Sequence, residues 1–98
     1  MHRNRVWLAM AASLWDLAAW ARGAARLQEQ MEALPPTGPQ DLAPGFVLSA
    51  AVLRHLQADP LLPSALLPGA WPGGSLRDAY DRWDRHYRRV LRTWARSD

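Results

Sequence analysis

Apolar residues recur at helical spacing in three segments of the chain, and no segment alternates with the two-residue period of a β-strand. The first segment runs from about Asn4 to Leu34 and stops at Pro35, because a residue before proline is pushed out of the helical conformation. We expect a core stripe on one face of this helix, formed by Val6, Trp7, Met10, Leu14, Leu17, Ala21, Ala24 and Ala25.

Three apolar residues of the first helix lie off this stripe. Leu8 and Trp15 point to the far side, beside Arg22 and Arg26, and Trp20 is also off the stripe. Tryptophan is a common anchor of protein interfaces. The sequence therefore predicts Leu8, Trp15 and Trp20 as interface candidates, with a second copy of the chain or other domains of the same protein as the partner.

The second helical segment begins near Asp41 to Pro44 and ends at Ala58, before Asp59 and Pro60. Its apolar residues surround most of the helix, namely Phe46, Val47, Leu48, Val52, Leu53 and Leu56. Such a helix is expected to be sandwiched between other elements.

The third segment opens on Ser75 and Asp78, whose spacing resembles a capping box. Its apolar stripe comprises Leu76, Ala79, Tyr80, Trp83, Tyr87, Val90, Leu91 and Trp94. The opposite face carries acid-to-base pairs four residues apart, Asp78 with Arg82, Asp81 with Arg85 and Asp84 with Arg88. We expect Trp7, Trp83 and Trp94 to be core residues.

Four prolines interrupt the stretch between the second and third helices, so it cannot form a long helix, and its leucines make it too apolar for a solvated linker. We expect it to wrap over the core, with Trp71 and Leu66 buried. The predicted fold is all-α, a small three-helix bundle with a wrapped connector rich in Pro, Leu and Trp.

Length and composition narrow the classes of function. With 98 residues the chain forms one domain, 1–98, and with no Cys it has neither disulfides nor thiolate metal sites. The serines lack any triad context, and His2, His55 and His86 lack the spacing of metal ligands. We expect no enzyme, no cofactor and no metal.

The basic residues are all Arg, and the net charge of +3 allows an anionic partner without requiring one. Arg85, Arg88, Arg89, Arg92 and Arg96 follow one another with no acid between them. They could bind phosphates of DNA or of a CoA nucleotide. The favoured interpretation is simpler, that arginines near a helix C-terminus complement its dipole.

The N-terminus, with Arg3 and Arg5 before an apolar run, has some features of a signal peptide. Asp16 interrupts the run before it reaches the length of a membrane span. We therefore expect an amphipathic helix of a cytoplasmic protein, with no membrane partner.

The connector carries a family resemblance. It resembles the C-terminal domain of PaaX-type transcriptional repressors, bacterial regulators of phenylacetate catabolism. The matching residues are Asp59, Pro60, Leu62, Pro63, Leu66, Leu67, Pro68, Trp71, Pro72 and Gly73. Arg54 in the preceding helix and the sequence Trp15-Asp16-Leu17 fit the same pattern, so the resemblance covers roughly residues 15 to 94.

The resemblance implies more than this chain holds. Full-length members have an N-terminal winged helix-turn-helix and a middle ferredoxin-like domain, which have no counterpart here, and they release operator DNA when an aryl acyl-CoA binds. We expect a non-enzymatic helical domain that supplies dimer or inter-domain contacts, while DNA is bound through the winged-helix domain. Residues for an aryl acyl-CoA effector or another anion would be Arg54, Arg85, Arg88, Arg89 and Arg92. The alternative is a free-standing, Arg-rich helical protein that binds nucleic acid directly.

Overall fold

A computed structural model describes residues 2–58 and 73–96. Three α-helices, α1 (His2–Ala33), α2 (Leu42–Gln57) and α3 (Gly73–Arg96), each pack against the other two, and a short 3-10 helix (Pro39–Asp41) precedes α2. No strand occurs within these ranges, so the predicted all-α, three-helix architecture is confirmed. The predicted burial of Trp71 and Leu66 in the connector lies outside the described residues.

The core lies where the C-terminal half of α1 meets α2 and the first half of α3. Val52 and Leu76 are completely buried at its centre. The other buried apolar residues around them are Trp20, Ala24, Met31, Leu48, Tyr80 and Trp83. Trp83 is therefore a core residue, as predicted.

Aromatic side chains of α3 also donate hydrogen bonds to backbone carbonyls at the end of α1 and at the start of α2. The indole Nε1 of Trp83 donates a hydrogen bond of 2.9 Å to the carbonyl oxygen of Leu34, and the Tyr87 hydroxyl donates one of 2.8 Å to that of Leu42. The two rings stack, with centroids 5.1 Å apart. These directional bonds hold the turn between α1 and α2 against α3.

The N-terminal half of α1 is exposed, which corrects the predicted core stripe. Val6, Trp7, Met10 and Leu14 are all at least half exposed, and Trp7 reaches 68%. A helix of 32 residues is about 48 Å long, whereas the 16 residues of α2 span about 24 Å. Helical spacing shows which residues share a face, but it does not show how far the neighbouring helices extend.

Trp20 is more buried than the sequence predicts. It is only 7% exposed and belongs to the core, so its predicted position on an outer surface is wrong. Trp20, Ala24, Leu27 and Met31 form the face that α1 packs against the bundle. Leu17 and Ala21 are half-buried beside this face, and Ala25 is exposed.

The second helix is not sandwiched. Its buried face consists of Gly45, Leu48 and Val52, while Phe46 and Val47 are 69% and 68% exposed and Leu53 is 45% exposed. The contacts with α1 and α3 therefore cover one side of α2 only.

The third helix begins at Gly73, so Ser75 lies within it and not at the N-cap position that the predicted capping box requires. Its hydroxyl accepts a hydrogen bond of 2.9 Å from Nε2 of Gln28. In the part of α3 that is described, Asp84 and Arg88 form an ion pair of 2.7 Å, the one predicted acid-to-base pair that does. Trp94 is 46% exposed and lies beyond the core, contrary to expectation.

Candidate functional site

Trp20 and His55 join α1 to α2. Their rings stack with centroids 4.5 Å apart and an angle of 19° between planes. Nε1 of Trp20 donates a hydrogen bond to the carbonyl oxygen of His55, and Nε2 of His55 donates one to the carbonyl oxygen of Trp20. The donor–acceptor distance is 2.8 Å in each bond. Because a carbonyl can only accept, the proton of His55 must be on Nε2.

Gly23 allows this close approach of the two helices. A Cβ atom at this position would stand 2.5 Å from Cε1 of His55, which is too close for any side chain. His55 is fixed by its bond to Trp20 and cannot move away freely. The glycine therefore has a packing role, since no special backbone conformation is needed inside a helix.

An open groove of about 460 Å³ runs between α1 and α2 beside this pair. Its size is within the range of small-molecule sites. The lining combines small or apolar residues with a few polar ones: Ala19, Gly23, Arg26, Leu27 and Gln30 from α1, and Ala51, Arg54, His55 and Ala58 from α2.

The described lining of this groove is positively charged, because Arg26 and Arg54 belong to it and none of its other described residues is acidic. Within the described ranges, neither guanidinium forms an ion pair or a hydrogen bond. The sequence predicts Arg54 as an anion candidate, but it does not predict Arg26 or His55. The four candidates on α3, Arg85, Arg88, Arg89 and Arg92, are exposed and do not line the groove.

Two of the predicted interface candidates lie on the exposed half of α1. Leu8 and Trp15 are each 70% exposed, as expected for an outer surface. The guanidinium of Arg22 lies 5.8 Å from the centroid of the Trp15 ring, a cation–π contact within one helix. Their role in an interface stays a prediction.

The turn before α2 contains the carboxylate of Asp41. It accepts hydrogen bonds from the backbone N–H groups of Thr37 and Gly38, at 2.9 and 3.2 Å, and from the Thr37 hydroxyl. These donors, the Thr37 backbone first, hold the pKa of Asp41 below its ordinary value. The charge thus stabilises the turn, and Asp41 is not among the described residues that line the groove.

Among residues 2–58 and 73–96, no three His, Asp or Glu side chains come close enough to hold a metal ion. Over the same ranges, no helix is both long and apolar enough to cross a bilayer. The remaining features that could serve a function are the groove, the exposed half of α1 and the arginines of α3.

The described part of the chain forms an all-α domain of three helices. The family model of the PaaX-like protein C-terminal domain matches residues 15–97, so the chain belongs to that family. This confirms the resemblance drawn from the connector motif. Comparison with curated proteins and with solved structures finds no match.

Proposed function

We propose that this PaaX-like C-terminal domain is a non-enzymatic contact module of a cytoplasmic transcriptional repressor. It joins two copies of the regulator through the exposed half of α1, while operator DNA is bound by a winged-helix domain. The observation that carries the proposal is the group of large apolar side chains exposed together on this half, Val6, Trp7, Leu8, Met10, Leu14 and Trp15.

Helical geometry spreads these side chains over slightly more than half of the helix circumference, with Leu8 and Trp15 at one edge of the apolar surface. At 100° per residue they fall within an arc of about 200°, and Arg5, Ala9 and Asp16 occupy the remaining sector. Contiguous apolar surface of this kind is rare on monomeric proteins and marks interaction sites. A second α1 helix offers the same apolar face, so two copies can bury theirs against each other.

The test is sedimentation velocity of the chain over a concentration series. The parent protein is expected to self-associate, and Trp15→Glu should shift it toward monomer because a charge would be buried in an apolar contact. Ala9→Glu adds the same charge in the polar sector and should leave association unchanged. A parent protein that stays monomeric at high concentration would contradict self-association and leave docking to other domains of the regulator.

The alternative function is direct binding of nucleic acid through the arginines of α3. The same protein titrated with duplex DNA distinguishes the two, because neutralising several phosphates makes affinity fall steeply with salt. A monomeric protein with such a salt dependence would support the alternative.

Family membership also supports a finer proposal, that the domain contributes to sensing an aryl acyl-CoA effector of phenylacetate catabolism. The arginines Arg85, Arg89 and Arg92 are exposed on α3 and could meet the phosphates of the CoA moiety. Titration with phenylacetyl-CoA tests this, and Arg92→Gln is expected to weaken binding if these residues take part.

A further inference from the structure

We propose that the groove between α1 and α2 binds a small organic carboxylate, with Arg26 and Arg54 holding the carboxylate and the small residues of the groove contacting a short apolar body. The inference comes from the groove itself, so it does not depend on self-association or on the arginines of α3.

The first step concerns charge. Arg26 and Arg54 come from different helices, line the same groove and have no acidic partner in the described part of the chain. Two like charges brought to one groove by the fold raise the local positive potential. A bound anion would relieve this, and guanidinium groups pair with carboxylates through short, charge-assisted hydrogen bonds.

The helix dipole does not account for both arginines. Arg54 lies in the last turn of α2, where a cation is favourable. However, α1 has no basic residue in its last turn, and Arg26 lies before that turn. Arg26 therefore has no dipole role, and its presence in the groove is what points to a ligand.

The second step concerns shape. Ala19, Gly23 and Ala51 leave the groove unfilled, and Leu27 adds an apolar surface. His55 cannot swing in to fill the space, because its ring is stacked on Trp20 and bonded to it. A ligand with only a charged head would leave these apolar atoms in water, whereas one with a short hydrocarbon body would cover them.

Hexanoate is a suitable probe, and the backbone amide of Gly23 and the indole N–H of Trp20 are suitable reporters in two-dimensional NMR spectra. Hexanoate is expected to shift both signals in a saturable manner. Hexan-1-ol has the same body without the charge, and inorganic phosphate has charge without a body. Hexan-1-ol is expected to bind at least roughly tenfold more weakly, because it cannot form hydrogen bonds between charged groups. Phosphate is also expected to bind more weakly, because it covers none of the apolar atoms of the groove.

Variants assign the binding to the groove. Arg26→Gln and Arg54→Gln should each raise the Kd for hexanoate by roughly tenfold. Arg77→Gln removes the same charge from the exposed face of α3 and should leave the Kd unchanged. Ala19→Leu, at an exposed position, should block binding by occupying the groove while the thermal transition is retained.

Three outcomes would overturn the proposal. If hexan-1-ol binds as tightly as hexanoate, the groove recognises only the apolar body and not the carboxylate. If Arg77→Gln raises the Kd as much as Arg26→Gln does, the binding depends on net charge and not on the groove. Unchanged affinity in Ala19→Leu, with the fold retained, would place the ligand elsewhere. None of these results bears on self-association, so the contact function and the groove can fail separately.

Discussion

Trp20 and His55 each donate a hydrogen bond from their ring to the other residue's backbone carbonyl, so that one stacked pair makes two bonds between α1 and α2. The pair links an apolar core position to the wall of the groove. A substitution in this pair is therefore expected to affect both the packing of the core and the shape of the candidate site.

Trp20→Phe is expected to destabilise the domain by roughly 2 to 4 kcal/mol, because it removes buried ring atoms and leaves the carbonyl of His55 without this donor. The matched change Trp15→Phe affects a side chain that is 70% exposed. It should cost less than about 0.5 kcal/mol. Urea denaturation followed by circular dichroism measures both, and equal effects would show that Trp20 is not a core residue.

Gly45→Ala is expected to destabilise, although alanine is the better helix former. A Cβ atom there would stand 2.5 Å from Cε2 of Tyr87. The Tyr87 ring cannot yield easily, since it is bonded to Leu42 and stacked on Trp83. Overpacking should cost about 1 to 3 kcal/mol and outweigh the gain of up to about 1 kcal/mol in helix propensity.

Gly74→Ala is the control for this prediction. A Cβ atom at Gly74 would have no neighbour within 4 Å, so the substitution changes only the helix propensity of this position. We expect a stabilisation of up to about 1 kcal/mol. Denaturation curves that move in the same direction for both variants would contradict the packing argument.

Asp41→Asn should lower the melting temperature at neutral pH and lose its effect in acid. The pKa of Asp41 is lowered in the folded state, so the carboxylate stabilises the fold above its unfolded pKa of about 4. That contribution falls as the pH drops through the folded pKa, because the protonated form accepts hydrogen bonds less well. Melting curves of both proteins from pH 7 to 2.5 should converge at the acid end, and a constant difference would exclude the charge as the cause.

The positions of the helices could be predicted from the sequence because local signals determine them. Pro35 ends α1, the chain before Pro44 begins α2, and apolar spacing runs through all three segments. The ends of α1 and α2 agree with the structure to within one or two residues.

The burial of α1 could not be predicted in the same way. A core stripe taken over the whole helix includes the exposed apolar residues of its first half, such as Trp7 and Leu14, and these residues shift its direction away from Trp20. The spacing of Trp20, Ala24, Leu27 and Met31 is itself ideal for one helix face. A core stripe taken over the second half of α1 alone places Trp20 in the core.

The groove could not be predicted from the sequence because it belongs to two helices at once. The family pattern marks Arg54, and helical spacing places Arg26 beside Trp15, but neither observation contains the register between α1 and α2. That register depends on Gly23 admitting the His55 ring, a contact between residues 32 positions apart. A glycine within a helix and a histidine in another are the available signals, and neither is specific.

The bonds that Trp20 and Leu34 make with the other helices have a mechanical consequence. Trp20 attaches α1 to α2 and the carbonyl of Leu34 attaches the end of α1 to Trp83 of α3, at points about 21 Å apart along the helix axis. A rod held at two separated points can neither slide nor turn without breaking both attachments. The N-terminal half of α1 is therefore presented at a fixed angle and rotation, so that the orientation of the bundle determines which way its apolar face is directed.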